Sequence, residues 1–426
     1  MQKYKNVICT GCSALCDDIQ VTVNEKKIIS VQHACPIGVA KFMSVNEERL
    51  LHPRINGKNV TLEQALEKAT EILTTSRYPL LYGWSNTSTE AVRYGIYLAE
   101  ALGGVFDSTS SVCHGPTVIG MQDRGLPTAT LGQIKNRADL IIFWGSNPLN
   151  SHPRHLIRYS LFPEGRFVKG RKNRKMIVVD VRKTDTARLA DEFIKINPNS
   201  DFEIITALRL FIKGLEPSQD YVGGVPVTKL KELAETMLSS KFGVIFFGLG
   251  LTMSHGKSRN VEAAIALVQD LNKHTKFVIH PMRGHFNVTG ADNVACWLTG
   301  FPFAVDFSRG YPFYNPGDTT AVDVLRRNFV DAALIVASDP VSHMPIRAAR
   351  NLAHIPLVVL SPHENFSTKV ATVVIPTAIT GIEAGGTAYR MDGVPIKLKK
   401  IIDPPENILF DEIILKKSYN RVLERL

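Results

Sequence analysis

Four cysteines close to the N-terminus, Cys9, Cys12, Cys16 and Cys35, constrain this chain more than any other feature; their spacing is C-x2-C-x3-C-x18-C. Three thiols within eight residues, and a fourth brought back by a short excursion, suit the corners of a cubane [4Fe-4S] cluster. Between Cys16 and Cys35, Ile19, Val21 and Val23 alternate and Ile28-Ile29-Ser30-Val31 follows. That pattern predicts a β-hairpin that returns Cys35 to the other three cysteines. A structural zinc site is the alternative, although zinc ribbons favour two separate C-x2-C pairs. A disulfide framework does not suit six cysteines in 426 residues, a length that buries a large core without cross-links. The motif points to a protein that moves electrons.

A hydrophobic content of 44% with 21% charged residues is that of a folded globular protein, not a disordered one. The length suggests about two to four domains or lobes. Residues 1–6 are polar and no apolar run approaches a membrane span. With several unpaired cysteines besides, a reducing cytoplasm is expected. The net charge of +10 is mostly scattered; its densest cluster is Lys169, Arg171, Lys172, Arg174 and Lys175. That cluster lacks the interleaved aromatics of a single-strand platform, so no nucleic acid is expected. It reads first as a solvated loop and second as a docking surface for an acidic partner.

Beyond Pro53, helical and extended patterns alternate. Residues 61–75 form an amphipathic pattern with Leu62, Ala65, Leu66, Ala69, Ile72 and Leu73 on one face, and Thr61 with Gln64 makes a capping box. Apolar runs at 79–82, 140–144, 176–181, 244–247, 277–280, 334–337, 357–360 and 373–375 predict strands. Near-continuous apolar strands separated by helices mean parallel sheets covered on both faces, an α/β fold. The strands run into Gly145-Ser146-Asn147-Pro148, Asp180-Val181-Arg182-Lys183-Thr184, Gly248-Leu249-Gly250, Pro281-Met282-Arg283-Gly284-His285, Ser338-Asp339-Pro340 and Ser361-Pro362-His363. Ligands of open α/β sheets bind beyond the carboxyl ends of strands, so these loops predict a large ligand or several. No G-x-G-x-x-G precedes a helix, which leaves a nicotinamide or flavin dinucleotide unsupported.

The cysteine motif followed by α/β lobes with Gly145-Ser146-Asn147-Pro148 and Val179-Asp180-Val181-Arg182 resembles the molybdopterin oxidoreductase family over most of the chain. Gly385-Gly386-Thr387 through Asp392-Gly393 is similar to the family's late glycine–threonine motif. A narrower likeness lies in Cys9-Thr10-Gly11-Cys12, Ser111-Val112-Cys113-His114-Gly115-Pro116-Thr117 and Pro281 to Asn287, which resemble the catalytic-subunit family of archaeal formylmethanofuran dehydrogenases. The resemblance implies a small N-terminal iron–sulfur domain plus two parallel-sheet α/β lobes, without the C-terminal β-barrel domain of formate dehydrogenases. The expected boundaries are 1–54 for the cluster domain, completed by 380–426; 55–135 with 306–379 for the lobe carrying Cys113; and 136–305 for a nucleotide-binding-like lobe.

The resemblance also implies a molybdenum or tungsten bis(molybdopterin guanine dinucleotide) and a reversible reduction of CO2 to formate. Formate would pass to a partner for condensation with methanofuran. A stand-alone formate dehydrogenase and a redox-inactive subunit of a formyltransferase/hydrolase complex are the alternatives. The implied partners are a small β-domain subunit covering the pterin, an amidohydrolase-like subunit and ferredoxin-like electron carriers. Among the residues, Cys113 in its serine-rich turn becomes the metal's protein ligand, since soft thiolates suit such metals. His114 orients substrate or relays a proton. Arg283 offers a bidentate fork to a carboxylate, with a cofactor-phosphate clamp as the rival role. The cofactor loops supply Gly145, Asn147, Asp180, Arg182, Thr184, Gly248, Gly250, Ser338, Asp339, His363, Gly386 and Thr387. Lys41 is placed to couple cluster and pterin. Cys296, in the apolar run Val294 to Leu298, has no ligand partners in sequence and reads as a structural core residue.

Overall fold

The computed structural model describes residues 1–426. The chain divides into two compact units, one of residues 1–113 with 285–426 and one of residues 114–284.

In the first unit, strands Gln2–Val7, Ile19–Asn24 and Lys27–Gln32 form an antiparallel sheet. The expected hairpin is present: Asn24 pairs with Lys27 across a tight turn in which Glu25 takes a φ of 54°. Ile19, Val21, Val23 and Ile28 are buried beneath it. The larger sheet of this unit has nine strands. Its centre is parallel, in the order Val105–Ser108, Pro79–Gly83, Ala332–Val336, Leu357–Ser361, Val373–Pro376. Both edges are antiparallel, which the all-parallel expectation did not include: Arg54–Ile55 pairs with Val373–Val374, and Val305–Asp306 pairs with Val105–Phe106. The helix Leu62–Thr75 starts at the predicted capping box of Thr61 and Gln64.

The second unit is built on five parallel strands in the order Glu192–Lys195, Lys175–Asp180, Leu140–Trp144, Phe242–Phe247, Lys276–Pro281. Ile142, Ile177, Ile245 and Ile279 join Leu208, Leu233 and Leu267 of the covering helices in one buried core. Burial on both faces explains why these strands read as unbroken apolar runs.

The unit boundaries differ from those expected. Residues 114–135 belong with the second unit, because the helix Gly115–Arg124 packs on Ser258–Leu271 and Pro127 accepts a hydrogen bond from Ile279 N–H at 2.9 Å. Residues 285–305 belong with the first, because the helix Val288–Thr299 packs on Thr89–Ala101 and Val305 joins its sheet. The C-terminal segment is divided in its allegiance. Its hairpin, Gly386–Tyr389 with Pro395–Leu398, buries Ala388 and Leu398 against Ile8 and Leu15 beside the cysteine loop. The final helix Asp411–Arg425 packs instead on Leu62–Thr75 and Thr89–Ala101 through Ile414, Leu415 and Val422. No helix is long and apolar enough to cross a membrane.

Candidate functional site

The four cysteines of the first unit converge. Cys9 and Cys16 are buried and Cys12 and Cys35 half-buried. The loop closes through the Cys9 N–H to the Cys16 carbonyl at 2.9 Å, with Leu15 in a left-handed conformation at φ 40°. Cys35 stands at the N-terminus of the helix Pro36–Met43, where Pro36 fixes the first turn. Cys9 interacts electrostatically with Cys16 and Cys35, and Cys12 with all three of the others. Burial pushes the Cys9 thiol up to about 12 and raises Cys12 as well, while backbone N–H groups of Gly11 and Ala14 pull each down. Gly38 completes the cradle: a Cβ there would lie 2.9 Å from Cys9 Sγ and 3.9 Å from Cys35 Sγ. No three histidine, cysteine or carboxylate side chains lie close enough to hold a single metal ion. The four thiols neighbour one another, and backbone N–H groups of Gly11 and Ala14 point at Cys9 and Cys12. Lys41 lies on the same helix within electrostatic reach of Cys9, Asp411, Arg49 and Glu383, and burial lowers it.

Cys113 ends a four-residue helix, Ser110–Cys113, that follows the strand Val105–Ser108. Cys113 is half-buried. Two buried carboxylates anchor this helix. Asp107 accepts from Ser111 Oγ at 2.7 Å and from the N–H groups of Ser108, Ala304 and Ala321 at 2.9, 3.0 and 2.6 Å. Asp292 accepts from Ser110 Oγ at 2.5 Å. Burial pushes Asp107 up to about 7 despite those donors. Tyr82, fully buried, is raised by burial and by the neighbouring Asp107 and Cys113. Asp107, Asp292 and Tyr82 were not singled out by the sequence. An aspartate at the end of an apolar run, three residues before Ser110 and six before Cys113, was the available signal for Asp107.

The unit boundary falls between Cys113 and His114. His114 is buried, and its carbonyl accepts from Thr117 and Val118 at the start of the helix Gly115–Arg124. Arg283 follows the last parallel strand of the second unit and is only 7% exposed. In the same unit the strand-end loops meet back to back. A Cβ on Gly145, at φ 54°, would lie 2.7 Å from Leu251 N, and one on Gly250 would lie 2.6 Å from Gly145 Cα. One on Gly248 would lie 2.7 Å from Gly145 O, so these glycines first serve close backbone contact with each other. Asn147 joins the next loop by accepting from Thr186 Oγ1 at 2.6 Å. Thr184 caps the short helix that follows it. Asp180 is half-buried and raised by burial, and Arg182 is exposed beside it. The buried hydroxyl of Thr252 has no partner within the protein. Asp180 and Arg182 at one strand end and the unpartnered Thr252 hydroxyl near the glycine contact are polar groups that a ligand beyond the strand ends can use.

In the first unit, Ser338 and Asp339 follow Ala332–Val336, and Asp339 accepts from Ser367 N–H and Oγ at 2.8 and 2.6 Å. His363 bonds the Glu48 carbonyl through Nδ1 at 3.0 Å, and its buried Nε2 has no partner within the protein. Thr387 donates to Glu90 through both N–H and hydroxyl, and Gly386 lies against Ser88. This pair is therefore tied to the helix Thr89–Ala101. Two expectations are corrected. Cys296 is exposed on its helix, next to a Trp297 that is 61% exposed, not a core residue. Arg174, placed in a solvated basic loop, is buried and donates to the carbonyls of Ala138, Leu161, Pro163 and Lys135.

Residues 58–416 match the family model described as molybdopterin oxidoreductase. The chain is 50% identical over 430 residues to the B subunit of the tungsten-containing formylmethanofuran dehydrogenase 2 of Methanocaldococcus jannaschii, covering 99% of each protein. It is 27% identical over 361 residues to the alpha subunit of the F420-dependent formate dehydrogenase 2 of Methanococcus maripaludis, covering 73% of this chain and 52% of that one. Among solved structures, a chain of the formyltransferase/hydrolase complex of Methylorubrum extorquens superposes with a TM-score of 0.72 at 21% identity, covering 88% of this chain and 99% of that chain. The chain belongs to the molybdopterin oxidoreductase family, and within it to the B subunits of formylmethanofuran dehydrogenases.

Proposed function

We propose that this chain is the catalytic subunit of a formylmethanofuran dehydrogenase, carrying out CO2 + 2e− + H+ → HCOO− reversibly. The observation that carries this reading is Cys113: a half-buried cysteine that follows a strand end, on a helix anchored by buried Asp107 and Asp292. Full-length similarity to the tungsten-containing enzyme of Methanocaldococcus jannaschii supports it. When bound, a molybdenum or tungsten bis(molybdopterin guanine dinucleotide) supplies the two-electron chemistry at carbon.

The chain's own residues hold and orient. Cys113 supplies the protein ligand as a soft thiolate. Arg283 grips the carboxylate of formate bidentately through its planar fork and stabilises the charge that develops on CO2. His114, buried beside the ligand in sequence, orients the substrate and moves the proton that the reaction takes up. Cys9, Cys12, Cys16 and Cys35 hold a [4Fe-4S] cluster that delivers electrons, with Lys41 alongside. Gly145, Asn147, Asp180, Arg182, Thr184, Gly248 and Gly250 of one unit, and Ser338, Asp339, His363, Gly386 and Thr387 of the other, build the loops for the pterin dinucleotides. Formate then passes to an amidohydrolase-like subunit. A small β-domain subunit and ferredoxin-like carriers complete the cytoplasmic assembly.

The test is anaerobic purification of the complex, with iron, tungsten, molybdenum and pterin quantified per chain and formate oxidation followed with a dye. Cluster, metal–pterin and formate-dependent reduction together support the reading. Protein without metal or redox activity would assign the chain to a redox-inactive scaffold role. Free formate as the end product in the complete complex would favour a stand-alone formate dehydrogenase.

A further inference from the structure

We propose that His152 is a positioning residue for Arg283. This rests on the reading of Arg283 as the group that binds the substrate carboxylate. His152 lies in the loop after the strand Leu140–Trp144, at the end of the short helix Pro148–Ser151. Arg283 lies after the strand Lys276–Pro281 of the same unit. Both are buried, His152 at 2% exposure. His152 Nε2 stands 2.6 Å from the Arg283 carbonyl oxygen. A carbonyl only accepts, so Nε2 carries the proton and donates. Nδ1 is then the acceptor, 2.8 Å from Ser151 Oγ. Burial lowers His152 below the usual imidazole range, in keeping with this neutral tautomer.

The loop that carries Arg283 needs such a fastening. It is held upstream by Met282 N–H to the Phe247 carbonyl at 2.8 Å and by Arg283 N–H to Pro281 at 3.2 Å. Downstream stands Gly284, which is exposed and has open space where a Cβ would be. Glycine there leaves the Arg283–Gly284 peptide free to rotate unless its carbonyl is held. His152 holds it from a different strand end. Fixing this peptide fixes the backbone from which the Arg283 side chain starts toward the substrate, where an error of about 1 Å costs on the order of a hundredfold in rate.

The test separates the two ring nitrogens. Glutamine places an N–H near the position of Nε2, whereas asparagine reproduces only the Nδ1 side. In the purified complex, His152→Asn should raise KM for formate about tenfold or more. Its kcat should change less, and metal, iron and pterin content should not change. His152→Gln should lie within about threefold of wild type. In an Arg283→Ala background, His152→Asn should add nothing. Equal behaviour of the Asn and Gln variants, or loss of pterin in His152→Asn, would overturn the positioning role while leaving Arg283's role intact. An unchanged formate KM in Arg283→Ala alone would overturn the reading of Arg283 itself, and the proposal with it.

Discussion

Gly38→Ala tests the cluster cradle with a single carbon. The new Cβ would stand 2.9 Å from Cys9 Sγ and 3.3 Å from Ala34 Cβ. Carbon atoms ordinarily rest about 3.5–4.0 Å from their neighbours. The helix or the sulfur must therefore yield by roughly 0.6–1.1 Å, judged against the 2.9 Å contact. Overpacking of this kind costs about 1–3 kcal/mol. Alanine returns about 1 kcal/mol as a better helix former inside Pro36–Met43. The net cost to folding is then no more than about 2 kcal/mol, below the total stability of about 5–15 kcal/mol typical of a folded protein. The geometric effect is not small if Cys9 holds the proposed cluster, because hydrogen bonding and position at sulfur set cluster potential. The chain should fold with a modestly lower thermal midpoint but show reduced iron content or a shifted cluster potential. Iron and sulfide analysis with electron paramagnetic resonance of the dithionite-reduced protein reads this directly. Gly132→Ala is the control, since its Cβ meets nothing nearer than Thr130 Oγ1 at 3.7 Å. Full iron loading and an unmoved potential in Gly38→Ala would refute the cradle.

Cys113→Ala should abolish formate oxidation and leave the cluster's resonance unchanged; near wild-type turnover at full metal content would remove Cys113 from the metal's coordination. Arg283→Lys should lower kcat/KM at least about tenfold at constant pterin content, because an ammonium cannot reproduce the fork. A fall in pterin content instead would identify Arg283 as a cofactor-phosphate clamp. His155 is fully buried against Phe143, Phe246 and Tyr159, and burial holds it well below the usual imidazole range. Its folded pKa is thus depressed, the native state binds fewer protons than the unfolded one, and stability falls as pH drops below about 6.5. His155→Phe should remove up to about 1.4 kcal/mol per pH unit of that dependence. Denaturation midpoints at pH 7.5 and 5.5 measure it, and an equal acid sensitivity in the variant would show that His155 is not its source.

The sequence was most legible where local pattern and tertiary environment agree. The hairpin between Cys16 and Cys35 was visible because Ile19, Val21 and Val23 alternate onto one buried face. The strands Leu140–Trp144 and Phe242–Phe247 were visible because both their faces are covered. The compact units place residues 114–135 and 285–305 differently from the expected lobes, because which lobe a helix packs on is decided by partners distant in sequence. Cys296 was readable in retrospect. Ala291, Val294 and Ala295 lie three and four residues apart and fix the buried face, which turns Cys296 outward. Arg174 looked solvated because a charge among charges usually is; its burial depends on four carbonyls that no local pattern announces. For Cys113 the polar neighbours Ser110, Ser111 and His114, and for Arg283 its place after a strand end before Gly284, are the local signals, and the resemblance supplies the proposed roles.

The surroundings of Cys113 show why a polar device stands where an apolar one would be more stable. A four-residue helix cannot hold itself, since forming the first helical turn costs more than its hydrogen bonds return. A ligand to a large metal centre nevertheless has to be held to within about 0.5 Å. Apolar packing resists displacement but does little to fix rotation about a short segment. Hydrogen bonds to buried carboxylates do both. Asp107 binds Ser111 of the helix together with Ala304 and Ala321, which are almost two hundred residues or more away in sequence, and Asp292 binds Ser110 from the helix Val288–Thr299. The cost is the desolvation that pushes Asp107 up to about 7. Its donors offset that cost only while all of them converge, which they do in the conformation that presents the thiol. The carboxylates thus make the fold of the first unit conditional on the placement of Cys113, a stricter coupling than hydrophobic burial alone provides.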